Sequence, residues 1–166
     1  MFKKKHIHFV GIGGIGMSGI AQVLHKKGFK VSGSDLSQNQ IVKKLKKKMK
    51  IFSSHNADNI NNADIIVYSS AIKKNNIEIL TAKKLKIPVF SRAMMLAQVM
   101  RLKSSITVAG SHGKTTTTSL IASIFETSGM DPTILSGGII NSLDINAKLG
   151  KGEWIVAEAD ESDGSF

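Results

Sequence analysis

Strand-like and helix-like segments alternate along most of the chain, and this alternation limits the possible folds more than any other feature. Short apolar segments such as 6–12 and 64–68 have the length of buried strands, whereas 15–27 has the 3.6-residue spacing of a helix. Such alternation predicts a parallel sheet with helices on both faces. Ligands bind at the carboxyl ends of the strands in these sheets, so the loops at that edge are the first candidates for a site.

The first of these loops, residues 11–16, reads Gly-Ile-Gly-Gly-Ile-Gly and fits the pattern G-x-G-x-x-G between a strand and a helix. The first glycine permits a tight turn, the second lets a phosphate approach the backbone, and the third lets the helix pack against the strand. Asp35 ends the next strand, where dinucleotide-binding folds place a ribose-binding carboxylate. The loop therefore predicts a site for the diphosphate of a nucleotide, and NAD is one candidate.

A second phosphate loop is predicted at residues 108–115, which fit the P-loop pattern except that Val108 replaces the first glycine. Backbone N–H groups of such a loop cradle phosphates, its lysine (Lys114) reaches the β and γ oxygens, and its hydroxyl (Thr115) binds Mg²⁺. Glu158 directly follows a strand-like segment, the position of a metal-holding acidic residue in P-loop proteins. These residues predict an ATP site with a magnesium ion.

Charge divides the chain into two parts. Residues 1–103 carry 20 lysines and arginines against four acidic residues, and residues 104–166 carry three against eight. This step predicts two domains with those bounds. Five lysines lie between residues 43 and 48, where Ile41, Leu45 and Met49 have helical spacing, so we expect most of these lysines on a solvated helix face. That spacing, and an aromatic content of only 5%, argue against nucleic acid as a partner.

Several classes of site are excluded by composition. The chain contains no cysteine, so it has no disulfide, thiolate metal site or cysteine nucleophile. No apolar segment approaches the roughly 20 residues of a membrane-spanning helix, and we expect a cytoplasmic protein with no membrane partner. The histidines outside the second phosphate loop are expected to be structural or exposed: His6, His8, His25 and His55.

Together the two phosphate loops and three other segments resemble the Mur ligase family, and most of all its alanine-adding branch. The matching segments, which extend over the whole chain, are residues 11–19, 32–35, 69–72, 110–116 and 158–163. The resemblance implies an ATP-dependent ligase of peptidoglycan precursor synthesis. In that family's reaction, ATP activates the carboxylate of UDP-N-acetylmuramate as an acyl phosphate, and the amine of L-alanine attacks it to form an amide.

The resemblance also implies roles for individual residues. The UDP-sugar would be bound by Gly11, Gly13, Gly14, Gly16, Asp35, Ser69, Ser70, Ala71 and Arg92. ATP would be bound by Gly110, Ser111, His112, Gly113, Lys114, Thr115 and Thr116, and Mg²⁺ by Thr115 and Glu158. The implied catalytic residues are Lys114, which would stabilise the transferring phosphoryl group, His112, which would shape the carboxylate site, and Glu158.

Two departures from the family pattern qualify this expectation. Ser111 replaces the usual threonine. The family enzyme has three domains, so the resemblance implies a chain that ends within the second, with little or no full activity. An incomplete second domain would expose a sheet edge and apolar residues, which predicts self-association. The alternatives are the related ligase that attaches a tripeptide to the same nucleotide sugar, and an NAD-binding protein.

Overall fold

The first sheet is formed by five parallel strands, as the alternation of segments predicts. A computed structural model describes residues 5–140 and 145–159 of the chain. The strand order is β3-β2-β1-β4-β5, with β1 His6–Val10, β2 Lys30–Ser34, β3 Lys50–Phe52, β4 Ile65–Tyr68 and β5 Val89–Ser91. The connections contain a 3₁₀ turn, Ala57–Ile60, and four helices: α1 Ile15–Lys26, α2 Gln40–Lys46, α3 Ile77–Lys84 and α4 Arg92–Met100.

A second sheet of four strands follows, in the order β6-β9-β7-β8. Its elements are β6 Ser104–Val108, α5 Lys114–Thr127, β7 Thr133–Ile140, β8 Ile145–Lys148 and β9 Trp154–Glu158. Strands β6, β9 and β7 are parallel, but β8 pairs antiparallel with β7. The α/β class with a Rossmann-like parallel sheet is confirmed. The sequence did not predict β8, and it predicted β7 as the shorter segment 132–135.

Helix α1 lies between the two sheets and is buried against both. One hydrophobic cluster includes Ile7 and Phe9 of β1, Met17 and Ile20 of α1, and Ile155 of β9, all 2% exposed or less. Burial of these side chains contributes about 1.5–3 kcal/mol each. The packing of the glycine-loop helix is therefore shared between the first and second sheets.

The lysine-rich segment forms the predicted amphipathic helix. Val42 and Leu45 of α2 are buried, and so is Met49 just after it, whereas the five lysines between residues 43 and 48 are exposed. The helix starts at Asn39, whose side chain accepts the N–H of Val42. The lysines are therefore on a solvated face, as their spacing predicts.

No helix within the described parts of the chain combines the length and the apolar character that crossing a bilayer requires.

Candidate functional site

The glycine loop between β1 and α1 is held by the end of β2. Gly11 has a φ of +82°, which favours glycine, and the N–H groups of Gly11 and Ile12 both donate to the carbonyl oxygen of Ser34, at 2.8 and 3.2 Å. The N–H of Gly13 donates to Oδ2 of Asp35 at 2.7 Å. The loop and the strand-end carboxylate that the sequence singles out are thus in direct contact.

The glycines of this loop differ in how tightly they are packed. A Cβ atom on Gly13 would lie 2.7 Å from Cγ2 of Val42 and 2.8 Å from Oδ2 of Asp35. A Cβ atom on Gly16 would lie 2.5 Å from Nη1 of Arg92. On Gly14 its nearest contact would be at 3.8 Å, which is ordinary van der Waals distance. Close approach therefore favours glycine at position 13; at position 16 the neighbour is the mobile end of an arginine side chain, and at position 14 there is room for a Cβ atom.

The turn after β4 lies against the start of the glycine loop. The N–H of Ser69 donates to the carbonyl of Val10 at 3.2 Å, and Cβ of Ser69 lies 3.2 Å from the position a Cβ on Gly11 would take. Ser70 and Ala71 follow in the same turn and are exposed. The predicted UDP-sugar residues of this turn thus lie at the same sheet edge as the glycine loop.

Two glycines of the second phosphate loop have positive φ angles, a backbone conformation that favours glycine. Gly110 has a φ of +143° and Gly113 a φ of +74°. Nζ of Lys114 donates to the carbonyl oxygen of Gly110 at 2.5 Å, so the lysine side chain folds back over its own loop. Ser111 and His112 are exposed, and their side chains contact each other at 3.2 Å. Thr116 is also exposed.

Both phosphate loops are followed by helices that have no side-chain cap. The N-caps of α1 and α5 are Gly14 and Gly113, and neither makes a side-chain hydrogen bond. Helices α2, α3 and α4 are instead capped by Asn39, Asn76 and Ser91, each accepting a backbone N–H. A helix start without a capping side chain offers its first N–H groups and its partial positive charge to an anion.

Glu158, the last residue of β9, is held in place by β7. Its carboxylate accepts Oγ–H of Ser136 at 2.6 Å and the N–H of Gly137 at 2.9 Å, and its exposed fraction is 8%. A Cβ on the next residue, Gly138, would lie 3.1 Å from Oγ1 of Thr115. The short Gly137-Gly138 segment therefore lies close to both predicted magnesium ligands.

The donor set at this point fits a magnesium ion that is shared with phosphates. A carboxylate and a hydroxyl are hard oxygen ligands, and Mg²⁺ typically uses one or two carboxylates together with substrate phosphates. Among residues 5–140 and 145–159 no group of three His, Asp or Glu side chains could hold a metal ion. Protein ligands there would be Thr115 and Glu158, and the acidic residues after position 159 lie outside the described residues.

A small cleft lies between the first turn of α1 and the end of β9. Its lining residues come from α1, α4, β7 and β9: Gly16, Ile20, Arg92, Leu96, Leu135, Ser136, Gly137 and Glu158. Arg92, the first residue of α4, lies over the first turn of α1 beside Gly16. The cleft therefore joins the N-terminal end of the glycine-loop helix to the buried carboxylate of the second sheet.

Two contributors to this arrangement were missed by the sequence interpretation. Ser136 binds the carboxylate of Glu158, and Asn146 of β8 donates from Nδ2 to the carbonyl of Ile15 at 2.7 Å and to Oγ of Ser18 at 2.9 Å. The alternation of apolar and polar residues from Ile145 onward was the available signal for β8. Asn146 thus attaches the second sheet to the first turn of α1.

Comparison with known proteins identifies the family. Residues 6–104 match the sequence profile described as Mur ligase family, catalytic domain. UDP-N-acetylmuramate–L-alanine ligase of Azorhizobium caulinodans is 55% identical over 161 residues, 96% of this chain and 34% of the relative. The same-named ligase of Ruthia magnifica is 56% identical over 169 residues, 100% of this chain and 36% of the relative. The chain thus spans about a third of the length of these relatives.

Solved structures give the same result. The UDP-N-acetylmuramate-alanine ligase MurC of Thermotoga maritima matches with a TM-score of 0.87 and 35% identity, over 95% of this chain and 37% of that one. The UDP-N-acetylmuramate:L-alanyl-γ-D-glutamyl-meso-diaminopimelate ligase of Neisseria meningitides matches with 0.88 and 30%, over 97% and 54%. The profile covers more than half of the sequence, and both structural matches extend over at least 95% of this chain. The chain belongs to the Mur ligase family.

Proposed function

We propose that this chain is the UDP-N-acetylmuramate-binding part, and the beginning of the ATP-binding part, of an ATP-dependent ligase that adds L-alanine to the sugar's carboxylate. The observation that carries the proposal is the cleft shared by Gly16, Arg92 and Glu158, because it joins the start of the glycine-loop helix to a predicted magnesium ligand of the ATP site. The named relatives at 55% and 56% identity support alanine as the amino acid.

In this proposal residues 1–103 form the UDP-sugar domain and residues 104–166 the start of the ATP domain. The uncapped N-terminus of α1 and the backbone of the glycine loop bind the diphosphate. Asp35 and the turn at Ser69 orient the rest of the nucleotide. The guanidinium of Arg92, beside Gly16, lies where the muramyl part of the ligand would enter the cleft.

The second loop would supply the activating side of the reaction. Bound Mg-ATP supplies a phosphoryl group that makes the muramyl carboxylate reactive toward an amine. The uncapped N-terminus of α5 holds phosphate oxygens, and Lys114 leaves the Gly110 carbonyl to stabilise the charge of the transferring group. Thr115 and Glu158 hold the metal, while Ser136 and Gly137 keep the Glu158 carboxylate oriented.

The test is calorimetric titration of the chain with UDP-N-acetylmuramate, NADH and Mg-ATP, each separately. The proposal predicts binding of the UDP-sugar and none of NADH. Binding of NADH in place of the UDP-sugar would contradict it. An Arg92→Ala variant is the matched comparison, since it removes a cleft residue and leaves the diphosphate loop intact; UDP-sugar affinity should fall while affinity for UDP alone is retained.

The second candidate is a ligase that transfers a tripeptide to the same nucleotide sugar, because the fold matches such a ligase as well as it matches an alanine ligase. Both candidates require the same sugar-nucleotide site. They are separated by assaying the complete gene product with L-alanine and with the tripeptide as competing amines. Exclusive use of the tripeptide would overturn the alanine assignment and leave the site assignment intact.

A further inference from the structure

A buried carboxylate lies next to the end of β2, the strand that holds the glycine loop. Glu78, in the first turn of α3, is fully buried. Its Oε2 accepts Oγ–H of Ser34 at 2.6 Å and Nδ1–H of His55 at 2.9 Å, and its Oε1 accepts Nδ2–H of Asn59 at 2.6 Å. Taking a carboxylate out of water is costly unless it is paired and hydrogen-bonded, and here three side chains donate to it.

Hydrogen bonds between two histidines and Ser32 extend this cluster across β1 and β2. Burial lowers the pKa of His6, which favours the neutral form of its ring. Nδ1 of that ring lies 2.9 Å from the carbonyl oxygen of Asn62, and because a carbonyl can only accept, Nδ1 carries the hydrogen and donates it. Nε2 of His6 must then accept Oγ–H of Ser32 at 2.8 Å, and Nδ1–H of His8 donates to the same oxygen at 2.8 Å. Nε2 of His8 is left facing Oε1 of Glu78 at 3.6 Å.

The cluster meets the glycine loop at one residue. The hydroxyl of Ser34 donates to Glu78, while the carbonyl of the same serine accepts the N–H groups of Gly11 and Ile12. The next residue, Asp35, accepts a further N–H of the loop. Any shift of the Ser34 backbone is therefore transmitted to three consecutive N–H groups of the predicted diphosphate site.

We propose that Glu78 is a positioning residue for the nucleotide-diphosphate site, holding Ser34 so that the end of β2 keeps the 11–16 loop in its ligand-binding conformation. The proposal rests on the proposed function of that loop. A buried group with only a packing role could be replaced by an apolar or amide side chain of similar size with little effect on the ligand. This carboxylate is hydrogen-bonded to Ser34, the residue whose carbonyl accepts two N–H groups of the loop. We therefore expect its replacement to weaken binding of the nucleotide diphosphate.

The experiment compares the chain with its Glu78→Gln variant, which keeps the shape of the side chain and removes its charge. UDP is the probe, and affinity is measured by calorimetry. We expect UDP binding to weaken about tenfold, the ratio that corresponds to about 1.4 kcal/mol. Hydrogen–deuterium exchange should also become faster at the amides of Gly11 and Ile12, whose common acceptor is the Ser34 carbonyl.

Ile79→Val is the matched control. Ile79 follows Glu78 in α3 and is 2% exposed, and its aliphatic side chain cannot form a hydrogen bond with Ser34. Its truncation lowers stability without touching the carboxylate cluster. We expect unchanged UDP affinity and unchanged exchange at Gly11 and Ile12 in this variant, which separates positioning from general destabilisation.

A second variant tests the route of the effect. Ser34→Ala removes the hydroxyl that connects Glu78 to the loop, so it should weaken UDP binding, and Glu78→Gln should add little in the Ser34→Ala background. Ser34→Ala also carries the test alone if Glu78→Gln does not fold. UDP affinity and loop exchange equal to those of the unmodified chain, in folded variants, would overturn the proposal. Failure of the unmodified chain to bind UDP would instead contradict the proposed function of the loop.

Discussion

Acid should remove a specific part of this protein's stability through Glu78. Burial alone would raise the pKa of this carboxyl, but the surrounding side chains outweigh burial and lower the pKa from 4.5 to about 2: His8, whose Nε2 lies 3.6 Å from Oε1, and the hydrogen-bond donors Ser34, Asn59 and His55. A difference of that size between the unfolded and folded states corresponds to about 3 kcal/mol. Whole domains have about 5–15 kcal/mol of stability, so the effect is measurable.

The sign follows from the direction of the shift. Because the folded-state pKa is the lower one, the stabilisation is complete above pH 4.5 and is lost as the pH falls from 4.5 toward 2. Glu78→Gln cannot lose it, since the amide does not titrate. The free energy of unfolding should therefore differ most between the two proteins near pH 6, and the gap should shrink by about 3 kcal/mol by pH 2.

Urea denaturation followed by circular dichroism at several pH values between 2 and 6 measures this gap. Glu153→Gln serves as the control, because it makes the same carboxyl-to-amide change at an exposed position. A gap between wild type and Glu78→Gln that stays constant across this range would refute the reasoning. It would mean that the buried hydrogen bonds do not favour the ionised carboxylate.

Three further outcomes are expected. Gly13→Ala should cost about 1–3 kcal/mol of stability, because its methyl group overlaps a valine of α2, whereas Gly14→Ala should be tolerated; thermal unfolding of both variants compares them. Asn146→Ala should destabilise by about 1 kcal/mol through its lost hydrogen bonds to α1, measured by urea unfolding. Leu120 and Ile124 lie on one face of α5 and are 61% and 64% exposed, so we expect them to promote self-association. Replacing both by lysine should give a monomer in sedimentation velocity. An unchanged oligomer in that variant would contradict this prediction.

The sequence predicted the first sheet well because its signals are local. Each strand is a short apolar segment, each connecting helix shows 3.6-residue spacing, and the glycine pattern lies between the two kinds of element. The five lysines of 43–48 were correctly interpreted as a solvated face, since Val42 and Leu45 provide the buried side. Their large charge alone would have favoured a nucleic-acid partner.

Contacts between distant parts of the chain were not predictable in the same way. Strand β8 has only four residues, so its alternation of apolar and polar side chains is a weak signal, and it indicates neither the pairing of β8 with β7 nor the contact of Asn146 with α1. The burial of Glu78 was also unforeseen, because its partners come from three separate elements and no spacing rule connects them. Carboxylates are rarely fully buried, so the sequence favoured an exposed position.

The phosphate loops lie between these two cases. The type and position of both loops were predicted from the spacing of their glycines. The hydrogen bond from the N–H of Gly13 to the Asp35 carboxylate was not predicted, because the sequence pattern assigns that carboxylate to a ribose. The role of Ser136 in holding Glu158 was likewise absent from any motif. Sequence patterns thus locate the phosphate-binding backbone, and the side chains that orient it come from tertiary contacts.

The most direct test of the account is to compare UDP with UDP-N-acetylmuramate by NMR on the isotope-labelled chain. Both ligands should shift the amides of residues 11–16 and of Asp35. Only the complete nucleotide sugar should also shift Ser136 and Gly137, because its muramyl part would extend along the cleft toward Glu158. Shifts confined to the second phosphate loop, or identical shifts with both ligands, would contradict a cleft that leads the nucleotide sugar from the glycine loop toward Glu158.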